Sequence, residues 1–142
     1  MSAEENKEII RRHTQAFNEK RLEVIDELVD IDYVDHGPFH GQQSGREGMK
    51  QAHKYFYEGF PDIQQTIDDI LAEDDKVVVR WTCRGTHLGR FVSVPIPPTG
   101  KTASVQGIDI FRMKDGKIAE CWHVVESLQL LFQLGVLEPL VF

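Results

Sequence analysis

The chain has 142 residues, 41% of them hydrophobic and 27% charged, with a formal net charge of −7. That length suits a single domain, residues 1–142, with one sizeable core, and the acidic balance disfavours nucleic acid, whose phosphates need a basic face. No apolar run reaches the length of a membrane span and MSAEENKEIIRR lacks the apolar segment of a secretory signal, so a cytoplasmic protein that engages no membrane is expected.

Residues 3–20 read as a first helix, with Ile9, Ile10, His13, Ala16 and Phe17 on one stripe. Residues 21–29, RLEVIDELV, continue as a shorter helical segment. YVDHGPFHGQQSG then passes from a brief strand into a loop punctuated by glycine and proline. Ser44 followed by Glu47 fits a capping box that opens a third helix, whose stripe is Met49, Ala52, His53, Phe56 and Phe60. Pro61 ends it.

Beyond Pro61 the period changes from helical to alternating. Residues 63–71, 76–86, 102–113 and 117–125 read as four strands, and a short apolar helix follows. The connection GTHLGRFVSVPIPPTGK is too rich in proline and glycine for a regular strand. Three helices followed by four strands predict an α+β domain with helices packed on one face of an antiparallel sheet. Cys83 and Cys121 lie inside strand-like runs and are expected to be buried free thiols.

The hairpin over residues 107–125 carries two titratable groups, Asp109 and His123, among apolar neighbours. Turn length decides whether they face together, because side chains alternate along a strand. A two-residue Asp115-Gly116 loop pairs Lys114 with Lys117 and sets Asp109 opposite Trp122, so that His123 points away. A three-residue loop, Lys114-Asp115-Gly116, makes Asp109 and His123 diagonal neighbours on one face. The second register also gathers Val105, Gly107, Phe111, Met113, Ala119, Cys121 and Val125 around the pair, and is favoured. The opposite face, with Ile108, Ile110, Ile118, Trp122 and Val124 among charged residues, then suits a subunit interface.

The remaining candidates are softer. Asp35, His36 and His40 in DHGPFH share a glycine-rich loop, but their spacing alone does not make a metal site, and no metal is expected. His36 is a candidate pocket residue. His53 lies on a helical stripe with Met49 and Phe56 and either packs in the core, the favoured reading, or reaches a cavity, as Phe56 can; His87 sits where the chain leaves a strand, at a pocket mouth or capping loop carbonyls. Trp81, Phe111 and Cys121 read as pocket wall. The apolar tail GVLEPLVF is expected to pack at an interface or over the pocket entrance.

Several stretches, in order, resemble the SnoaL-like polyketide cyclase (ester cyclase-like) family: AFNEKRLEVIDELVDIDYVDH, SGREGMKQAHKYFYEGFPDI, RGTHLGRF, PPTGK, GIDIFRMKDGKIAECWHVVE and LLFQLGV. The resemblance implies a nuclear transport factor 2-like cone, in which a curved sheet wraps around three helices and leaves a deep apolar pocket, in proteins that are commonly oligomeric. It also implies a cofactor-free intramolecular aldol condensation in which a pocket aspartate is the general acid/base, assisted by a histidine on the preceding strand. Laid on this chain, the aspartate falls at His123 and the histidine at Asp109, so the two residue types are exchanged.

The expectation is a cofactor-independent enzyme acting on a small apolar carbonyl compound, with His123 as acid/base and Asp109 as its orienting partner. A homodimer or higher homo-oligomer is expected. The competing expectations are a ligand-binding module without chemistry, and an isomerase or epoxide hydrolase on the same fold.

Overall fold

A computed structural model describes residues 1–94 and 96–139 of the chain. Helix α1, Ala3–Asn18, begins at Ser2, whose side chain accepts the Glu5 backbone N–H at 3.1 Å. Its buried stripe contains Ile9, Ile10, His13, Ala16 and Phe17, as the periodicity predicts. A 3₁₀ turn at Leu22–Val24 and the one-turn helix α2, Ile25–Leu28, lead into strand β1, Val29–Asp35. Helix α3 spans Gly45–Gly59. Ser44 holds the extended backbone of an N-cap but its hydroxyl makes no capping bond, so the expected capping box does not form; Glu47 instead pairs with Lys50 at 3.2 Å.

Strands β2, Gln64–Glu73, β3, Lys76–Thr86, β4, Thr102–Lys114, and β5, Lys117–Val125, form an antiparallel meander, followed by helix α4, Ser127–Gln133. The sheet order is β1-β5-β4-β3-β2. The four expected strands pair antiparallel, and the brief strand β1 adds to them parallel to β5, so the sheet is mixed at one edge.

Helix α1 packs on β2 and β3, and α3 packs on β1, inside the curve of the sheet. One cluster of the core is mostly aliphatic, with Ile10, Ile25, Val29, Val77 and Ile118 almost completely buried beside Tyr33, Trp81 and Phe111. The other cluster is largely aromatic, with Phe17, Phe60 and Phe91 closed by Leu134 just after α4. Each such side chain contributes roughly 1.5–3 kcal/mol by leaving water. Both cysteines are free thiols, with Cys121 buried and Cys83 partly so. Among the described residues no helix is long and apolar enough to cross a membrane. In the tail, Leu140, Val141 and Phe142 lie outside the described residues.

The hairpin turn corrects the sequence reading. Lys114 pairs with Lys117 across a two-residue Asp115-Gly116 loop whose φ angles are 49° and 75°, the pattern of a type I′ turn. The favoured three-residue loop is absent. By parity this turn would have sent His123 to the outer face, but the ladder slips between Met113–Ile118 and Arg112–Glu120, leaving Ala119 as an extra residue in β5. This bulge buries both Ile118 and Ala119, and it moves Ile118 from the outer face, where alternation put it, into the core. Beyond it, Asp109 lies directly opposite His123. The two residues share a face after all, for a different reason and at closer quarters than a diagonal pair.

Candidate active site

Between the helices and the inner face of the sheet lies a mainly apolar cavity of about 480 Å³, a size typical of small-molecule sites. Asp109 and His123 both line it. Trp81 reaches it from β3, lying directly opposite Gly107; a Cβ on residue 107 would come within 2.1 Å of the indole, so only glycine leaves the ring room.

A third polar residue completes the constellation. Asp35, at the end of β1, pairs with Cys121 across the parallel ladder, and its Oδ1 lies 2.8 Å from His123 Nε2. Oδ1 also accepts the Gly37 backbone N–H at 2.8 Å, and Oδ2 accepts a Gln42 side-chain N–H at 3.0 Å. Gly37 packs on the imidazole so closely that a Cβ there would meet Nε2 at 2.8 Å.

These contacts separate the three groups electrostatically. Burial alone would push the Asp35 carboxyl up, but hydrogen bonds from His123, Gly37 and Gln42 together outweigh it and hold it below its ordinary value. The bond to Asp35 raises the His123 imidazole above its ordinary value against the opposing effect of burial. Asp109 goes the other way: burial pushes it up to about 6, with the Asp35 charge adding to the rise while Trp81 and His123 oppose it. The Trp81 indole N–H makes no hydrogen bond of good geometry among the described residues, yet it lies near enough to favour the Asp109 carboxylate. The site therefore sets an Asp35 biased toward its ionised form and a His123 biased toward its protonated form beside an Asp109 poised to exchange a proton. The Tyr33 hydroxyl, kept un-ionised first by burial and then by Cys121, Asp35 and Asp109, adds a neutral phenol to the same wall.

The structure brings most of the predicted pocket residues together. His53, Phe56, Trp81, Phe111 and Cys121 line the cavity with Asp109 and His123. His36 and His87 are not among the lining residues. His36 is one position past Asp35 and faces out: its ring stacks on Trp122 at 4.7 Å and its Nε2 lies 2.5 Å from Glu120. His87 is fully buried in the loop after β3, bonded through Nδ1 to Thr99 and stacked on Phe60, so it holds the loop and does not line the mouth. From the sequence, Asp35 reads only as a candidate metal ligand and His13 only as a member of a core stripe. The alternation of Tyr33 and Asp35 inward with Val34 outward was the available signal for Asp35, but its pairing with His123 spans 88 positions and is set by the β1–β5 contact.

The comparisons with known proteins agree with this architecture. A family model described as SnoaL-like polyketide cyclase matches residues 7–134. A search of curated protein sequences finds no significant match. Among solved structures, TsrD from Streptomyces laurentii is 31% identical with a TM-score of 0.88, over 96% of this chain and 99% of that one. IdmH from Streptomyces antibioticus, a candidate polyketide cyclase, is 31% identical with a TM-score of 0.80, over 92% of this chain and 98% of its own. AclR from Streptomyces galilaeus, a candidate hydroxylase, is 29% identical with a TM-score of 0.84, over 99% and 87% respectively. The fold is the nuclear transport factor 2-like curved sheet around helices. With the family match running from within α1 to the end of α4, the chain belongs to the SnoaL-like polyketide cyclase family.

Proposed function

We propose that this protein is a cofactor-independent, cyclase-like enzyme that moves a proton beside the carbonyl of a small apolar compound, leading to aldol-type ring closure. The observation that carries the reading is the 2.8 Å His123–Asp35 bond beside an Asp109 set directly opposite His123 in an apolar cavity. The geometry supports giving the orienting role to Asp35, which frees Asp109 to act as the base. In the proposed reaction the Asp109 carboxylate takes a proton from the carbon next to the carbonyl. The imidazolium of His123, its Nε2 engaged by Asp35, stabilises the negative charge that develops on the carbonyl oxygen. The enolate carbon then bonds to a second carbonyl carbon of the same molecule, whose oxygen takes up the proton released in the first step.

Proton abstraction can be tested without the native substrate. Methyl naphthyl ketone is an apolar aromatic ketone with exchangeable protons only on its methyl carbon. In D₂O buffer the protein is expected to speed methyl H/D exchange at least ~10²-fold over buffer, followed by ¹H NMR. Binding of the ketone with its methyl protons exchanging only at the buffer rate would instead mark a binding module.

We further infer that the outer sheet face joins two copies of the chain. Ile108 and Val124 sit directly opposite each other there, 47% and 75% exposed, beside a partly exposed Trp122. Apolar side chains clustered on one face in this way support a protein contact. Native mass spectrometry is expected to give a dimer, and Val124→Glu to shift it to monomer. A monomeric parent protein would overturn this.

A further inference from the structure

The helix wall of the cavity carries a second pair of polar side chains that the chemistry above leaves unused. His13 on α1 and His53 on α3 are both buried, both line the cavity, and have ring centroids 5.4 Å apart. Their surroundings are aromatic: Phe111 lies 6.0 Å from the His13 ring and Phe17 lies 5.0 Å from the His53 ring. His13 Nε2 is completely buried and has no hydrogen-bond partner among the described residues. Buried polar atoms without partners are uncommon in native proteins, and two apolar side chains would fill this wall without that penalty.

Burial keeps both rings neutral. It pushes His13 down to about 4, and burial together with the neighbouring His13 pushes His53 down to about 3. A neutral imidazole presents one N–H donor and one acceptor nitrogen. Two of them on the wall of a mainly apolar cavity suit a neutral group that both gives and takes a hydrogen bond. A carboxylate or ammonium group would be left without countercharge there. A hydroxyl fits. Phe111, against which His13 packs, is two residues from Asp109 on the same face of β4, so the histidine pair sits roughly 7 Å further along the wall than the acid/base groups.

We propose that His13 and His53 form a hydroxyl-binding subsite, so that the substrate is an aromatic ketone carrying a phenolic hydroxyl at the end remote from its reacting carbonyl. The assignment of ends rests on the proposed function; the subsite itself is a matter of binding.

The test compares two probes by isothermal titration calorimetry. One is methyl naphthyl ketone and the other is the same ketone with a hydroxyl on the ring remote from the acetyl group. The unsubstituted protein is expected to bind the hydroxylated probe ~10-fold more tightly, the scale of one well-made hydrogen bond. His13→Phe and His53→Phe, which keep aromatic bulk, are expected to bring the ratio close to one while retaining affinity for the plain ketone. His13→Gln, which keeps a donor and an acceptor, is expected to restore part of the ratio. A purely structural pair would move both affinities and the melting temperature together and leave the ratio intact. Equal affinities in the unsubstituted protein, an unchanged ratio in both Phe variants, or failure of the probes to bind would overturn the proposal. Methyl exchange reports on the reaction and the affinity ratio on the subsite, so one can fail while the other stands.

Discussion

Asp109→Asn is expected to slow methyl exchange by about 10²–10⁴-fold and, at the same time, to make the protein more stable at pH 8. The two effects have one cause. Burial raises the folded-state pKa of Asp109 to about 6, whereas the unfolded chain has the ordinary value near 4. A raised pKa means that folding favours the protonated carboxyl. Its contribution to stability is present below the unfolded value and is lost as pH rises through about 6, because the folded protein must then hold a buried carboxylate. Asparagine has nearly the same shape and no charge. Above pH 6 the variant should therefore gain about 2 kcal/mol in urea unfolding, and near pH 4 the gain should nearly vanish. A variant that loses exchange and loses stability at pH 8 as well would mean that the Asp109 carboxylate is a structural group, with its loss of activity a consequence of misfolding. The combination of lower activity and higher stability is what a strained catalytic carboxyl should produce.

Much of the scaffold was legible because local chemistry writes it directly into the residue pattern. The α1 stripe, the change of period after Pro61 and the alternation on β3 all read true, and they place His53, Phe56 and Trp81 on the cavity. The Asp115-Gly116 dipeptide is a strong signal for a type I′ turn, and the structure follows it. The bulge at Ala119 was not legible in the same way. Ile118 and Ala119 are consecutive apolar residues, which is compatible either with a regular strand showing one side chain to each face or with a bulge that buries both. Only packing of Ile118 against the core with Val29 and Met113 decides between them. His123 thus lies on the face expected for it, through the bulge and not through the expected turn. Asp35 was hidden for a different reason: its proximity to His123 depends on a parallel edge strand laid beside β5, a contact between distant parts of the chain with no local signature. His36, one residue later, attracted notice as a histidine, yet alternation sends it outward onto Trp122.

Asp35→Asn is expected to lower methyl exchange by about 10²-fold at neutral pH and to move the His123 titration to the acid side of its ordinary value. In the native site the bond to Asp35 outweighs burial and raises the imidazole; with a neutral amide in place of the carboxylate, burial remains and pushes it down. The fraction of imidazolium at pH 7 then falls, and with it the positive charge available to the developing oxyanion. Following the His123 ring proton by NMR across pH 4–9 measures this directly, and an unchanged His123 titration would remove Asp35 from the proposed mechanism. The stability consequences run opposite to those of Asp109. The depressed Asp35 gives a contribution present above its unfolded value near 4 and lost as pH falls through its folded value. The raised His123 gives one present below its unfolded value near 6.5 and lost as pH rises through its folded value. The pair therefore stabilises most between about pH 4 and 6.5. There Asp35→Asn should cost about 1 kcal/mol or more in urea unfolding, the scale of losing hydrogen bonds to a charged group, with a smaller loss at pH 9. Two carboxylates flank one imidazole, and their environments are opposite. Asp35 accepts three hydrogen bonds and stays charged, while Asp109 sits among apolar side chains and gives up its charge readily. Removing the first should weaken the fold and removing the second should strengthen it, although either change disables the proposed chemistry.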